Sequence, residues 1–254
     1  MQFDPQSTWL VRILVIACHS AILYNASLMQ TERMFDDIAP SYDLLNRLLS
    51  LGLDRGWRRR AVLAFAPFRP RRILDLACGS GDMAVAALAL DPESVTAADV
   101  SAPMLALAAS KIAGNRNGRR VTLVAAAAEA LPFADGSFDA VTVGFGVRNF
   151  SDLAKGLAEI FRVLAPGGVA VILEFSRPLG PLLGRLHGLY LRNALPLLGG
   201  LVSGNRAAYA YLARSAQAFP QGEGFTSLLA GAGFSAATCR PLSLGACSVY
   251  RAVK

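Results

Sequence analysis

Two kinds of hydrophobic pattern alternate along most of this chain. Short continuous apolar runs, typical of strands buried on both faces, are followed by longer segments with helical spacing. The runs predict strands at residues 72–77, 95–100, 121–125, 138–145, 169–175, 236–241 and 246–252. The segments between them predict helices at residues 82–90, 103–113, 152–164 and 222–232. This alternation predicts an α/β fold with a doubly wound, mostly parallel sheet and right-handed crossovers.

Two segments depart from the alternation. Residues 34–65 predict helices that precede the sheet, and Pro67 and Pro70 end them. Residues 178–220 are rich in leucine and glycine and interrupt the pattern after the fifth predicted strand. We expect that segment either to pack in the core or to form an apolar, helical lid. The tripeptide PGG at residues 166–168 predicts a turn that leads into the fifth strand.

Residues 1–33 have a different character from the rest. The stretch 9–28 is mostly apolar, but Arg12 and other polar residues interrupt it, whereas a membrane span needs about 20 apolar residues. A signal peptide requires a basic residue before its apolar region, and no basic residue precedes this apolar run. Two interpretations stay open: an upstream extension with Met29 or Met34 as the true start, or a segment that touches a membrane.

The most informative motif is LDLACGSG at residues 74–81, where the first predicted strand ends in a glycine turn before a helix. Gly79 and Gly81 let the backbone approach a ligand closely, and the helix N-terminus offers unpaired N–H groups. Asp99 ends the second predicted strand, where a carboxylate can accept hydrogen bonds from both hydroxyls of a ribose. Together these features predict a nucleoside-binding site.

The glycine spacing also fits the dinucleotide fingerprint, so NAD competes with S-adenosylmethionine (SAM) as the ligand. Asp75 lies inside the strand, where it could reach an amino group, and this favours SAM. Asp82 puts a negative charge at the helix start, where it would repel a pyrophosphate. The motif also resembles the first motif of Rossmann-like SAM-dependent methyltransferases. A structural glycine turn without a ligand is the third interpretation.

The length and composition of the chain limit the number of domains and the kinds of molecule or metal that it can bind. A chain of 254 residues can form one large α/β domain, which we place at residues 34–254 with 178–220 as a lid-like insertion. The net charge is +7, and six arginines lie between residues 58 and 72. No aromatic residues alternate with them, which disfavours nucleic acid and favours solubility or contact with an anionic membrane. The four cysteines form no C-x-x-C pair, which argues against a metal site or a disulfide framework.

Longer motifs resemble those of the ubiquinone/menaquinone biosynthesis C-methyltransferases. They are FDDIAPSYDLLN at residues 35–46, SLG at 50–52, WRR at 57–59, FDAVTVGFGVRN at 138–149 and LEFSRP at 173–178. The resemblance runs from residue 34 almost to residue 254 and leaves residues 1–33 uncovered. It implies a Rossmann-like methyltransferase fold and SAM-dependent C-methylation of a polyprenylated hydroquinone. Demethylmenaquinol is the preferred substrate, with a benzoquinol still open.

The same resemblance implies positions for the cofactor. Ser80 and Asp99 lie where the family binds SAM, and Ala127 and Ala128 lie where it frames the adenine. This sequence departs from the family twice: relatives usually carry Asn or Asp at Ala127 and often carry Ser at Gly144. One lost neutral hydrogen bond costs about 1 kcal/mol, which weakens SAM binding without abolishing it.

The implied reaction also indicates candidate catalytic residues. A ring carbon attacks only after a phenolic O–H loses its proton, so the enzyme needs a base or activated water and a cation near the aryloxide. We expect Arg148 to point into the cleft and supply that cation, although a salt-bridge role is the alternative. Asn149, Tyr42 and His187 are weaker candidates.

A prenylated substrate stays in the bilayer, so the resemblance implies peripheral contact of a cytoplasmic protein with the inner face of an anionic membrane. A homo-oligomer is also left open. Two other functions remain: another SAM-dependent small-molecule methyltransferase, or a non-catalytic SAM-binding scaffold subunit. The departures at Ala127 and Gly144 suggest the second of these.

Overall fold

The structure of the protein, a computed structural model, describes residues 52–178 and 214–254 together with isolated positions outside these ranges. The N-terminal segment 1–33, the helices predicted before residue 52 and most of the lid-like insertion 178–220 lie outside the described residues. In the part that is described, no helix combines the length and the apolar character needed to cross a membrane.

Seven strands of the described chain form one sheet in the order β3-β2-β1-β4-β5-β7-β6. They are β1 (Arg72–Leu76), β2 (Ser94–Asp99), β3 (Val121–Ala125), β4 (Phe138–Gly144), β5 (Leu164–Phe175), β6 (Ser235–Leu242) and β7 (Cys247–Val253). Strands β1 to β5 pair in parallel, whereas β7 runs antiparallel to both β5 and β6. The strand order reverses between β1 and β4, where ligands bind in open sheets of this kind.

Helices cover both faces of the sheet, as the alternating pattern predicted. They are α1 (Asp54–Leu63), α2 (Asp82–Ala87), α3 (Ala102–Ala113), α4 (Leu153–Val163) and α5 (Glu223–Gly231). Successive residues of β1 serve opposite cores: Ile73 packs on the side of α1 and α2, and Leu74 packs on the side of α4. The doubly wound fold is therefore confirmed, and most predicted boundaries are correct to within two residues.

The fifth strand is the main correction to the predicted boundaries. β5 begins at Leu164, because residues 166–168 form a bulge inside the strand and not a turn before it. Phe138 of β4 pairs with Leu164, but the next paired residue, Ala140, lies opposite Val169. Gly167 has a positive φ of 74°, and its N–H donates to the carbonyl of Lys254 at 3.0 Å. The sequence correctly indicated a local bend at these residues, but the prediction that the strand begins only after the bend was wrong.

The arginines between residues 58 and 72 do not form one open cationic patch. Arg58, Arg71 and Arg72 form ion pairs with carboxylates. The side chain of Arg58 is buried between α1 and α2, where Asp54 and Asp82 bind it. The other three arginines are exposed. Three of the six arginines therefore connect parts of the fold, because the carboxylates that they bind lie far from one another in the sequence.

Candidate active site

A cleft opens at the carboxyl ends of β1, β2 and β4, beside the reversal of strand order. Its walls include Gly79 of the glycine turn, Asp99 at the end of β2, residues 126–129 after β3 and residues 144–146 after β4. The glycine turn and Asp99, from which we expect a nucleoside site, therefore line one concave surface.

Asp99 holds the glycine turn while it lines the cleft. Its Oδ2 accepts a hydrogen bond from the Gly79 N–H at 2.8 Å, and its Oδ1 accepts one from the Ser101 N–H at 2.9 Å. A carboxylate offers about four lone-pair positions, so it can accept further hydrogen bonds from a vicinal diol. Ribose binding by Asp99 stays a prediction with a suitable geometry.

The two glycines of the turn have different tasks. Both have positive φ angles, 53° at Gly79 and 80° at Gly81. Gly79 lines the cleft, as expected for a close approach to a ligand. A Cβ at Gly81 would lie 3.1 Å from the Cβ of Ala108 in α3. Gly81 is therefore explained by close packing of α3 on the turn and not by contact with a ligand.

Ser80 and Asp82 belong to a charge network behind the turn. The side chain of Ser80 is buried, and its Oγ accepts a hydrogen bond from Lys111 Nζ at 2.9 Å. Lys111 and Arg58 both pair with the Asp82 carboxylate. The expected placement of Ser80 at the cofactor is not seen for its side chain, which turns away from the cleft. The two cations also offset the charge of Asp82, so repulsion of a pyrophosphate no longer favours SAM.

Asp75 is fully buried beneath the turn, and neither of its carboxylate oxygens has a hydrogen-bond partner among the described residues. Burial raises the pKa of Asp75 well above its usual value, although the nearby Ala84 N–H partly offsets this shift without full hydrogen-bond geometry. At the paired position of β4, the hydroxyl of Thr142 also lacks a partner in the described structure. Asp75 does not line the cleft, so its contact with an amino group stays a prediction.

The two departures from the family pattern both lie in the cleft wall. Ala127 and Ala128 follow β3 and present small side chains, as expected of a surface that frames a flat base. A Cβ at Gly144 would lie 2.7 Å from Cγ of Met83, a buried side chain of α2. Gly144 is thus matched to Met83 within this chain, so the absence of serine there is no sign of lost function.

The expectation that Arg148 points into the cleft was wrong. Its side chain is 4% exposed and forms an ion pair with Glu174 of β5, which is 0% exposed, with Nη1 and Oε1 2.5 Å apart. The same Nη1 donates to the Phe145 carbonyl at 2.6 Å, and the guanidinium lies over the Phe175 ring. A buried carboxylate on the next strand attracts the guanidinium away from solvent. The salt-bridge alternative describes this geometry.

The ion pair is not fully satisfied by its neighbours. Arg148 Nε and Glu174 Oε2 have no hydrogen-bond partner in the described part of the chain. Burial raises the pKa of Glu174 from its usual value, and Arg148 opposes that shift. Sequence reasoning quoted Glu174 within a family motif but did not connect it with Arg148, because Arg148 lies in the turn after β4 and Glu174 lies in β5, 26 residues further along the chain.

Asn149 is the one predicted catalytic candidate that the described structure places in the cleft wall. Its Oδ1 accepts a hydrogen bond from the hydroxyl of Tyr211 at 3.3 Å. Tyr211 belongs to the segment 178–220, so this contact connects that segment with the cleft. Tyr42 and His187 lie outside the described residues.

Sequence reasoning missed an aromatic cluster beside the cleft. Phe145 lines the cleft with a positive φ of 61°, and its ring packs 4.5 Å from that of Phe175. Trp57 of α1 contacts both rings. A positive φ is uncommon for a bulky residue and typical of functional sites. The flanking glycines of the motif GFG at residues 144–146 were the available signal.

Comparison with known proteins places these features in context. The model of the ubiE/COQ5 methyltransferase family matches residues 25–254 and so begins before residue 34. A demethylmenaquinone methyltransferase from Thermus thermophilus is 51% identical over 203 residues, covering 80% of this chain and 91% of the relative. A ubiquinone/menaquinone biosynthesis C-methyltransferase UbiE from Geobacter sulfurreducens is 45% identical over 223 residues, 87% of each protein. A solved SAM-dependent methyltransferase from Thermotoga maritima matches with a TM-score of 0.62 at 20% identity, covering 87% of this chain and 99% of that chain.

The burial of Asp75 predicts a pH dependence of stability. Its pKa is raised in the folded protein, so the folded state keeps a proton that the unfolded chain releases above pH of about 4. Asp75 therefore favours folding most at low pH, and this contribution falls as the pH rises. We expect Asp75→Asn, which does not titrate, to gain stability relative to the parent between about pH 4 and pH 7.

Urea denaturation across this pH range measures the effect. The control Glu223→Gln removes an exposed carboxylate at the start of α5. A stability difference between Asp75→Asn and the parent that stays constant with pH would contradict the argument.

Proposed function

The chain belongs to the ubiE/COQ5 methyltransferase family, and on this premise we propose that it methylates a ring carbon of a demethylated menaquinol. It is a SAM-dependent methyltransferase of quinone biosynthesis. The observation that carries the choice of substrate is the mostly apolar lining of the cleft, to which the largely buried Phe145 contributes. The naming of the Thermus relative for demethylmenaquinone supports a naphthoquinol over a benzoquinol.

The residues of the cleft fit SAM. The Asp99 carboxylate suits the ribose, Gly79 permits a close backbone approach, and the small side chains of Ala127 and Ala128 leave space for the adenine. Asp75 is a buried carboxyl group without a partner in the described structure, and because it does not line the cleft, we propose that it meets the ammonium of SAM through water. When bound, SAM supplies an electrophilic methyl group.

The turn after β4 holds the quinol side of the cleft. Asn149 lies in the wall and can donate its amide N–H to a quinol oxygen, and Tyr42 remains a second candidate. We propose that Arg148 acts through this turn as a positioning residue. Its Nη1 donates to the Phe145 carbonyl and to the Glu174 carboxylate, so the pair holds the backbone of the turn that also carries Asn149.

The polyprenyl tail of the substrate implies that a surface of the protein contacts a membrane. A polyprenyl chain stays in the bilayer, so we propose that this protein works in the cytoplasm against the inner face of the membrane. The segment 178–220, which reaches the cleft through Tyr211, is our candidate for the apolar entrance.

The substrate proposal predicts turnover of a short-chain demethylnaphthoquinol with labelled SAM under reducing conditions. We expect the label on the ring carbon and a higher kcat/KM than for the corresponding benzoquinol. Equal turnover of unrelated phenols would indicate another small-molecule methyltransferase. SAM binding without any turnover would indicate a scaffold subunit.

The cofactor site is tested at Asp99. We expect Asp99→Ala to weaken SAM binding by about 2 kcal/mol or more, because two ribose hydroxyls lose a charged acceptor. Calorimetry measures the loss, and Asp91→Ala, which removes an exposed carboxylate, is the control. Because Asp99 also binds two backbone N–H groups, the folded fraction is measured alongside. Unchanged SAM binding, or tight binding of NAD, would contradict the assignment.

The positioning role of Arg148 predicts a defect in the methyl-transfer step. We expect Arg148→Ala to lower kcat by about a hundredfold, the scale of losing one preorganised group, while the Kd for SAM changes only a few-fold. Arg148→Lys should recover part of the rate, since an ammonium cannot reproduce the planar fork.

Glu174→Gln separates the two possible roles of Arg148. Glu174 does not line the cleft, so a similar loss of kcat in this variant supports action through the ion pair. An unchanged or faster rate would indicate that Arg148 contacts the substrate instead. Arg119→Ala removes an exposed arginine outside the cleft and serves as the control.

A further inference from the structure

A second concave surface lies between α1 and β6 and shares no lining residue with the cleft. Its volume is about 630 Å³. Three arginines from three elements line it: Arg60 of α1, Arg240 of β6 and Arg251 of β7. We refer to this surface as the arginine groove.

The sheet topology explains why the groove is open. β6 is an edge strand of the described sheet, and α1 packs over β5 and β7 without covering it. Alternate residues of a strand point to the same face, so Thr238 and Arg240 of β6 share the face that α1 leaves open. Both residues are exposed. In register with them, β7 contributes Val249 and Arg251 to the same groove.

The groove carries positive charge that is not offset within it. None of its lining residues is acidic. Across the described residues, none of its three arginines forms an ion pair, in contrast to Arg58, Arg71 and Arg72. Arg251 instead lies over the ring of Phe68, with its guanidinium 5.8 Å from the centroid. Guanidinium groups suit a phosphate, which they can bind through planar, bidentate hydrogen bonds, and three residues that carry them line this one groove.

Apolar residues accompany these cations. Leu63 lines the groove and is 57% exposed. Leu53, 48% exposed, precedes α1, and Leu244, 70% exposed, lies in the turn between β6 and β7. The start of α1 and this turn are joined by a hydrogen bond from Trp57 Nε1 to Ser243 Oγ at 2.8 Å. Exposed leucines beside basic residues are typical of surfaces that enter the membrane interface.

We propose that the arginine groove binds the phosphate headgroup of an anionic phospholipid and docks the protein on a membrane surface. A free anion such as inorganic phosphate would satisfy the arginines equally well, but it would leave the exposed leucines without a partner. The groove thus fits an amphiphile better than a simple anion. The proposal rests on the proposed function only in that a prenylated substrate gives the enzyme a reason to meet the bilayer.

Sedimentation of the full-length protein with vesicles tests the groove without any turnover of substrate. The vesicles contain phosphatidylcholine alone or an equal mixture with phosphatidylglycerol. The variant combines Arg60→Gln, Arg240→Gln and Arg251→Gln. We expect binding only to the anionic vesicles, and at least about tenfold weaker binding for the variant, since each basic residue near an anionic surface contributes separately.

A second triple variant controls for net charge. It combines Arg116→Gln, Arg119→Gln and Lys155→Gln, which removes the same charge from exposed residues elsewhere. We expect its vesicle binding to change less than about twofold. Equal losses in both variants, or no loss in the groove variant, would overturn the proposal.

A competition experiment identifies the ligand, and a single-residue variant keeps the proposal testable if the triple variant misfolds. At constant ionic strength, a soluble short-chain phosphatidylglycerol should displace the protein from vesicles, whereas inorganic phosphate should not. Equal displacement by both would overturn the assignment to a lipid. Leu244→Ser alters one exposed residue outside the fold's core and should also weaken vesicle binding. Unchanged binding in Leu244→Ser would overturn the apolar part of the proposal even if the triple variant fails to fold.

Different measurements test the membrane-docking proposal and the substrate proposal, so the failure of one can be distinguished from the failure of the other. Turnover of a short-chain quinol in solution should be unchanged in the groove variant, because none of its three residues lines the cleft. Lost turnover in the parent with intact vesicle binding would instead contradict the substrate proposal.

Discussion

The hydrogen bond between the Gly79 N–H and the Asp99 carboxylate joins the ends of two parallel strands, and the cleft depends on it. Asp99 binds the Ser101 N–H as well, so one side chain sets the turn after β1 and the start of the segment after β2. Packing of Ala108 against Gly81 holds the same turn from behind. A cofactor that binds here therefore meets a surface that is already in place, which limits the entropy lost on binding.

Buried ionisable side chains are concentrated around this cleft. Asp75 lies beneath the glycine turn without a partner in the described structure, and Arg148 pairs with Glu174 below the turn after β4. A buried pair adds little net stability, but removing one partner costs about 3–5 kcal/mol. Such a pair is better suited to fixing geometry than to stabilising the fold. This agrees with its place behind Phe145, whose backbone has an uncommon conformation.

The sheet topology places two surfaces at different parts of the molecule. The reversal of strand order between β1 and β4 opens the cleft, and the uncovered edge at β6 opens the arginine groove. The first surface belongs to a SAM-dependent methyltransferase of the ubiE/COQ5 family. The second surface is the one that we propose for docking on a membrane.

Local pattern determined the elements of this protein, because strands, helices and the glycine turn are encoded by residues close together in the sequence. It also predicted the placement of Asp99 and Asn149 at the cleft, since carboxyl ends of parallel strands meet at one edge, whereas the place of Ala127 there was implied by the family resemblance. Only the tertiary structure decided where Arg148 and Ser80 point, because each turns toward a partner on another element. The arginine groove likewise joins residues nearly two hundred positions apart. Backbone pattern is local, whereas the direction of a charged side chain depends on which opposite charge the fold brings within reach.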